Sequence, residues 1–173
     1  PRIRAMRAVR IRGRLHSLVP PRVLAAVLRT WFNGWCTLRR FQRKGDCLFG
    51  CPCGEDSIDH YMGCSRLHAY GLARLKLPRA GSIGDQSLSF MLLDATSTIS
   101  DATLTLRALL VAAAYRLHCR HRRSGGLGEE GILWRALDQA IKESTLGHQK
   151  AMRLLDGIWV QQPCTSTSSS SVP

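Results

Sequence analysis

The first 44 residues of this 173-residue chain contain no aspartate or glutamate, yet they hold 12 of its 25 lysines and arginines. The rest of the chain sets 13 Lys/Arg against all 12 acids, so nearly the whole formal charge of +13 belongs to the first quarter. A segment of that kind must meet an anion or stay solvated, and nucleic acid is the commonest partner of an Arg-rich, acid-free arm. A long apolar run is missing too. The best stretch, Ala108 to Tyr115, is bounded by Arg107 and Arg116 and falls well short of the roughly 20 residues that cross a bilayer, so no membrane partner is expected. Asparagine occurs once, as Asn33-Gly34-Trp35, which leaves no glycosylation acceptor. Aromatics make up only 6%, but 45% hydrophobic residues suffice for the core of one domain, which excludes collagen-like and wholly disordered classes.

Catalytic patterns are absent as well. The chain has no Gly-x-x-x-x-Gly-Lys loop, no Gly-x-Ser-x-Gly elbow, no His-Glu-x-x-His and no Asp-Asp pair of the sort that holds two polymerase metals. Its adjacent carboxylates, Glu55-Asp56 and Glu129-Glu130, stand where helices are expected to begin, and the macrodipole explains them better than acid–base work does. No catalytic residue is assigned, and the chain itself is expected not to be an enzyme.

What the chain does have is cysteine. Four of its seven, Cys47, Cys51, Cys53 and Cys64, lie within 18 residues beside His60. An odd number so clustered points to a metal in a reducing, nuclear or cytoplasmic compartment rather than to a secreted disulfide scaffold. Zinc takes four ligands at tetrahedral corners, commonly two from a tight turn and two from one face of a helix. Cys47 and Cys51 suit the turn, with Gly50 letting the backbone curl, and His60 and Cys64 stand one helical turn apart. Cys53 is a fifth candidate, but its single-residue spacer from Cys51 tends to aim the two side chains apart, which favours Cys47 over Cys53. The expected site is therefore one structural zinc on Cys47, Cys51, His60 and Cys64, with no open position for hydrolysis. His118, Cys119 and His121 form a weaker cluster, read as the solvated basic end of a helix.

Apolar spacing gives the organisation. A basic arm occupies residues 1–20; a helix starting at Pro21 and a zinc-knuckle module fill 21–76; a helical region spans 77–160; and a Ser/Thr-rich tail, 161–173, is expected to be disordered. Trp35 to Phe49 suggests a short hairpin about the Lys44-Gly45-Asp46 turn, and residues 57–70 a helix weakened by Gly63, with Asp56 and Asp59 as a capping pair. Pro78, Gly81 and Gly84 read as loop, with a buried turn of helix at 88–93. Further helices are expected after Ser100-Asp101, after Glu129-Glu130 and around Leu154. The fold class is mainly α, with a small zinc-stabilised β-hairpin or knuckle.

Trp31, Thr37, Arg40 and Phe41, then Cys47 and Cys51, the run Glu55-Asp56-Ser57-Ile58-Asp59-His60-Tyr61, and Cys64 together resemble the zinc-binding Cys-Cys-His-Cys region downstream of the polymerase domain in non-LTR, LINE-type retroelement reverse transcriptases. Three residues separate His60 from Cys64 where that family usually has four. The resemblance implies a nucleic-acid-binding tail of a longer protein, with a polymerase domain upstream. On charge, Arg7, Arg10, Arg12, Arg14, Arg39, Arg40, Arg43 and Lys44 are the candidate contacts to RNA or DNA, largely independent of base sequence, with Trp35 and Phe41 placed to stack but more commonly core residues. Two other readings use the same residues: a zinc-stapled helical protein-interaction module, and an organelle presequence over residues 1–32.

Overall fold

The computed structural model describes residues 2–52, 54–79, 83–93, 99–123, 127 and 129–160. The chain is mainly helical, and no β-strand occurs among the described residues. Its central element is α6, Asp101–His121, which is buried almost without a break from Leu104 to Ala114. A helix apolar on all sides must be covered on all sides. The cover comes from α1 (Arg2–Leu18), α2 (Pro21–Trp31), α4 (Ser65–Arg74), α5 (Ile83–Phe90) and α7 (Glu130–Thr145), each of which packs on α6. Two further helices sit outside this shell, α3 (Ile58–Met62) against α5, and α8 (Gln149–Trp159) against α7.

Local chemistry sets the ends of these helices. Pro21 opens α2 at a position where a missing N–H costs nothing, and Asn33, at φ 50°, turns the chain away before Gly34. The Ser100 hydroxyl accepts from the Thr103 amide at 3.1 Å, as its place before α6 suggests. Gly147, at φ 78°, makes the reversal into α8. Small residues then set the spacing of the helices: Ala108, Ala112, Ala113 and Ala114 are buried on α6, and a Cβ at Gly71 of α4 would stand 3.2 Å from Leu110.

Several expectations change on this framework. Residues 2–18, read as an arm, form α1, which seats Leu15 and, just beyond its end, Val19 in the common core while Met6 and Val9 stay exposed. The hairpin is replaced by one antiparallel bridge, Asp46 to Glu55, preceded by a single 3-10 turn over Arg39–Phe41. The helix expected over 57–70 is two helices that part at Gly63 and Cys64. Its cap is Ser57, whose hydroxyl accepts from His60 N at 3.1 Å, and not the Asp56 and Asp59 pair. The tail at 161–173 and Cys53 lie outside the described residues.

Filling or emptying the α6 packing should be costly in both directions. Leu109→Ala is expected to lower unfolding free energy by about 2–5 kcal/mol, and Ala113→Leu by about 1–3 kcal/mol through overpacking; urea titration followed by circular dichroism measures both.

Candidate metal centre

The loop from Cys47 to Cys51 closes on itself. Gly50, at φ 79°, takes the left-handed conformation and donates its amide to the Cys47 carbonyl at 3.0 Å, bringing the two thiols to one side. The Cys47 amide donates to the Gly54 carbonyl at 2.7 Å, and Asp56 N to the Gly45 carbonyl at 2.9 Å, which returns the chain to α3. There His60 stands within the short helix, and Cys64 begins the next at its N-cap. The four sequence-predicted ligands meet: one donor atom each from Cys47, Cys51, His60 and Cys64 lies within 4.8 Å of the other three.

Three observations say that this group suits a metal ion. The Cys51 and Cys64 sulfurs are 3.4 Å apart, too far for the roughly 2.05 Å of a disulfide, but close to the edge of a tetrahedron built on metal–ligand bonds of about 2.0–2.3 Å. His60 Nε2 is buried with no hydrogen-bond partner, an acceptor or donor left idle unless something binds it. A Cβ at position 54 would stand 2.3 Å from that nitrogen and 2.9 Å from Cys47 Cβ, so only glycine leaves the space clear. The sulfurs also share their protons unequally. The hydrogen bond with Cys64 holds the Cys47 thiol down at about 5 despite burial, while the same bond and burial push Cys64 up. A cation would draw the remaining protons off.

Behind the cluster lies a contact that sequence reasoning missed. Asp56 is buried, and its carboxylate accepts from three directions: Leu38 N at 2.8 Å, the Tyr61 hydroxyl at 2.7 Å and His118 Nε2 at 3.1 Å. The proton sits on Nε2 because an ionised carboxylate can only accept. His118, read from sequence as solvent-facing, is fully buried 62 positions along the chain, and Trp35 packs against its ring and those of Tyr61 and Tyr115. Trp35 is thereby a core residue and donates its indole N–H to Thr30 Oγ1 at 2.9 Å. Burial raises the Asp56 carboxyl, but the bonds from His118, Leu38 and Tyr61 outweigh it and leave it below its ordinary value. The signal that existed was a His inside an otherwise apolar helix face, which needs a buried partner.

The basic candidates divide. Arg10, Arg12, Arg43 and Lys44 are exposed, and Arg7 is half-buried. Arg14 is half-buried and engaged within the fold, bonding the exposed Asp101 carboxylate at 2.6 Å and the Ile99 carbonyl at 2.7 Å. Arg39 pairs with Glu55 at 3.2 Å while remaining largely exposed, and Arg40 donates to the Asn33 carbonyl. Phe41 is 58% and Phe32 80% exposed, so two aromatic rings flank this turn in solvent. No described helix is long and apolar enough to cross a membrane. No protein-family model matches the chain, and no curated protein or solved structure does either.

Two outcomes follow from the site. Cys51→Ser and Cys64→Ser should each abolish stoichiometric metal uptake, and Cys53→Ser should retain it, as read by elemental analysis of purified protein; the reverse pattern would move the site. Asp56→Ala strands three donors, two of them buried, and should cost about 3 kcal/mol in urea unfolding. Because the folded-state value of Asp56 is lowered, its contribution is complete above the unfolded value of about 3.9 and disappears as pH falls through the lower folded value. Asp56→Asn should therefore flatten the acid limb of the stability curve.

Proposed function

We propose that this chain is a zinc-stabilised nucleic-acid-binding module. The observation that carries the reading is the convergence of three thiols and one imidazole beside an exposed basic turn. Soft sulfur with one nitrogen is the donor set zinc prefers, and four protein ligands close the coordination sphere, so the metal's work is structural. It would tie the loop to α3 and α4 in a stretch with almost no regular backbone pairing of its own. Arg39, Arg40, Arg43 and Lys44 then stand on a rigid base with Phe41 among them, the mix of charge and exposed aromatic that grips a phosphate backbone and stacks on unpaired bases. Arg10 and Arg12 on α1 are further exposed cations of the same acid-free segment of sequence, whereas Arg14 serves the fold. The resemblance of residues 31–64 to the C-terminal region of LINE-type reverse transcriptases supports the same reading, with the polymerase chemistry belonging to a longer parent chain.

A helical protein-interaction module is the second reading, and one feature favours it: Leu146 and Met152 are exposed on a groove between α7 and α8 lined also by Thr145, Leu155 and Trp159, with Lys142 and Asp156 at its edge.

Fluorescence anisotropy with a labelled 20-mer of single-stranded DNA across a salt series separates the two. Binding should weaken with log salt, and replacing Arg10, Arg12, Arg43 and Lys44 by Ala should flatten the slope by about 0.7 for each phosphate that is no longer neutralised. Arg14→Ala should instead lower thermal stability and leave the slope nearly unchanged. A chain loaded with zinc that shows no salt-dependent binding would hand the function to the interaction reading.

A further inference from the structure

Basic residues of α2 and α6 gather at a place the sequence did not single out. Arg22 of α2 reaches over the C-terminus of α7, donating from Nε to the Ser144 carbonyl at 2.9 Å and from Nη2 to the Leu146 carbonyl. These are the orphan acceptors at the end of a helix, where a cation is favoured. Two turns along α2, Arg29 donates from Nη1 to the Tyr115 hydroxyl at 2.7 Å and lies over that ring, its guanidinium carbon 5.7 Å from the centroid. From α6, Arg116 and Arg120 both reach Glu143, at 2.7 and 2.8 Å. Four guanidiniums thus share this region with one carboxylate, and the two on α2 make their hydrogen bonds to neutral groups.

Between them the surface is hollow. A cavity of about 200 Å³, open to solvent, is lined by Arg22, Tyr115, Arg116, Cys119 and Ser144, with Ala26 and Ala112 as its floor. Water occupies roughly 30 Å³ per molecule in the liquid, so the space admits a phosphate group with part of its hydration shell. Arg22 keeps its Nη1 protons uncommitted, and Arg116 uses only one terminal nitrogen on Glu143, which leaves donors from two helices for the oxygens of one anion.

We propose that the cleft between α2 and the C-terminal half of α6 is a phosphate seat, in which Arg22 and Arg116 hold one phosphate of a nucleic-acid backbone while Arg29, seated on the lining residue Tyr115, contributes positive charge. The inference rests on the nucleic-acid reading for the source of that phosphate. It adds an anchor separate from the turn at 39–44 and from α1, an open cleft whose floor, Ala26 and Ala112, belongs to the packed core. A free phosphate or a phosphorylated small molecule offers the same chemistry and is distinguished below.

Cys119 supplies a reporter, because its exposed thiol lines the cavity and takes no part in the metal cluster. The rate of Cys119 alkylation by iodoacetamide, resolved by peptide mass spectrometry on the zinc-loaded full chain, is measured alone, with a 20-mer of single-stranded DNA, with an uncharged-backbone oligomer of the same sequence, and with inorganic phosphate at matched ionic strength. The DNA should slow Cys119 at least threefold and the uncharged oligomer should not. Cys119→Asp, which puts a negative charge at an exposed position, and the paired Arg22→Gln, Arg29→Gln variant should each weaken DNA binding about three- to tenfold with the melting curve checked by circular dichroism. DNA that binds in a salt-dependent way but leaves Cys119 alkylation and the variants' affinity unchanged would overturn the seat and leave the nucleic-acid reading standing. Protection by inorganic phosphate without DNA binding would retain the seat and overturn that reading. No protection by either ligand would overturn the seat outright.

Discussion

A single buried carboxylate ties the cysteine-rich loop to the helical body. Asp56 takes hydrogen bonds from the backbone before the 3-10 turn, from Tyr61 on α3 and from His118 on α6, so three separate pieces of chain are fixed by one side chain. Removing a partner from such a network leaves the others buried and unpaired, which is why the network holds its geometry more firmly than its net energy suggests. Tyr61 closes the circuit by also accepting the Leu48 amide at 3.3 Å, within the loop that presents Cys47 and Cys51. The ligand positions therefore depend on contacts that no metal makes. An ion would add to a site already half assembled by Asp56.

The same frame sorts the basic residues. Sequence presents twelve positive charges as one block, but folding assigns them different work: Arg14 clasps Asp101, Arg22 caps α7, Arg29 rests on Tyr115, and Arg10, Arg12, Arg43 and Lys44 are left facing solvent. Charges that cap helices or lie on rings are held still, and a still guanidinium loses less freedom when it takes up an anion. Formal net charge says how strongly the chain attracts a polyanion, whereas the placement of these few arginines says where it would be held.

The contrast between Arg14 and Arg43 shows how much of this was legible beforehand. Both are arginines in an acid-free segment, and nothing within that segment tells them apart. Arg14 is structural only because α1 lies across the start of α6 and brings it to Asp101, 87 positions away. His118 is buried against Asp56 for a reason equally remote in sequence. Its neighbours Arg116 and Arg120 suggested a solvated helix end, and its actual partner is remote in sequence.

The sequence by itself determined the elements whose causes are local. Helical apolar spacing fixed α2, α6, α7 and α8, Ser100 fixed the start of α6, and the spacing of Cys47, Cys51, His60 and Cys64 named the four residues that converge. Each of these follows from residues a few positions apart, whose relation the backbone geometry sets directly. Only the tertiary structure decided that α1 is a packed helix, that the expected hairpin reduces to one bridge between Asp46 and Glu55, and that Asp56 is a buried acceptor instead of a helix cap. Those outcomes depend on which surfaces α6 must have covered, and that demand is met by segments distant in the chain, where no local pattern records the partner.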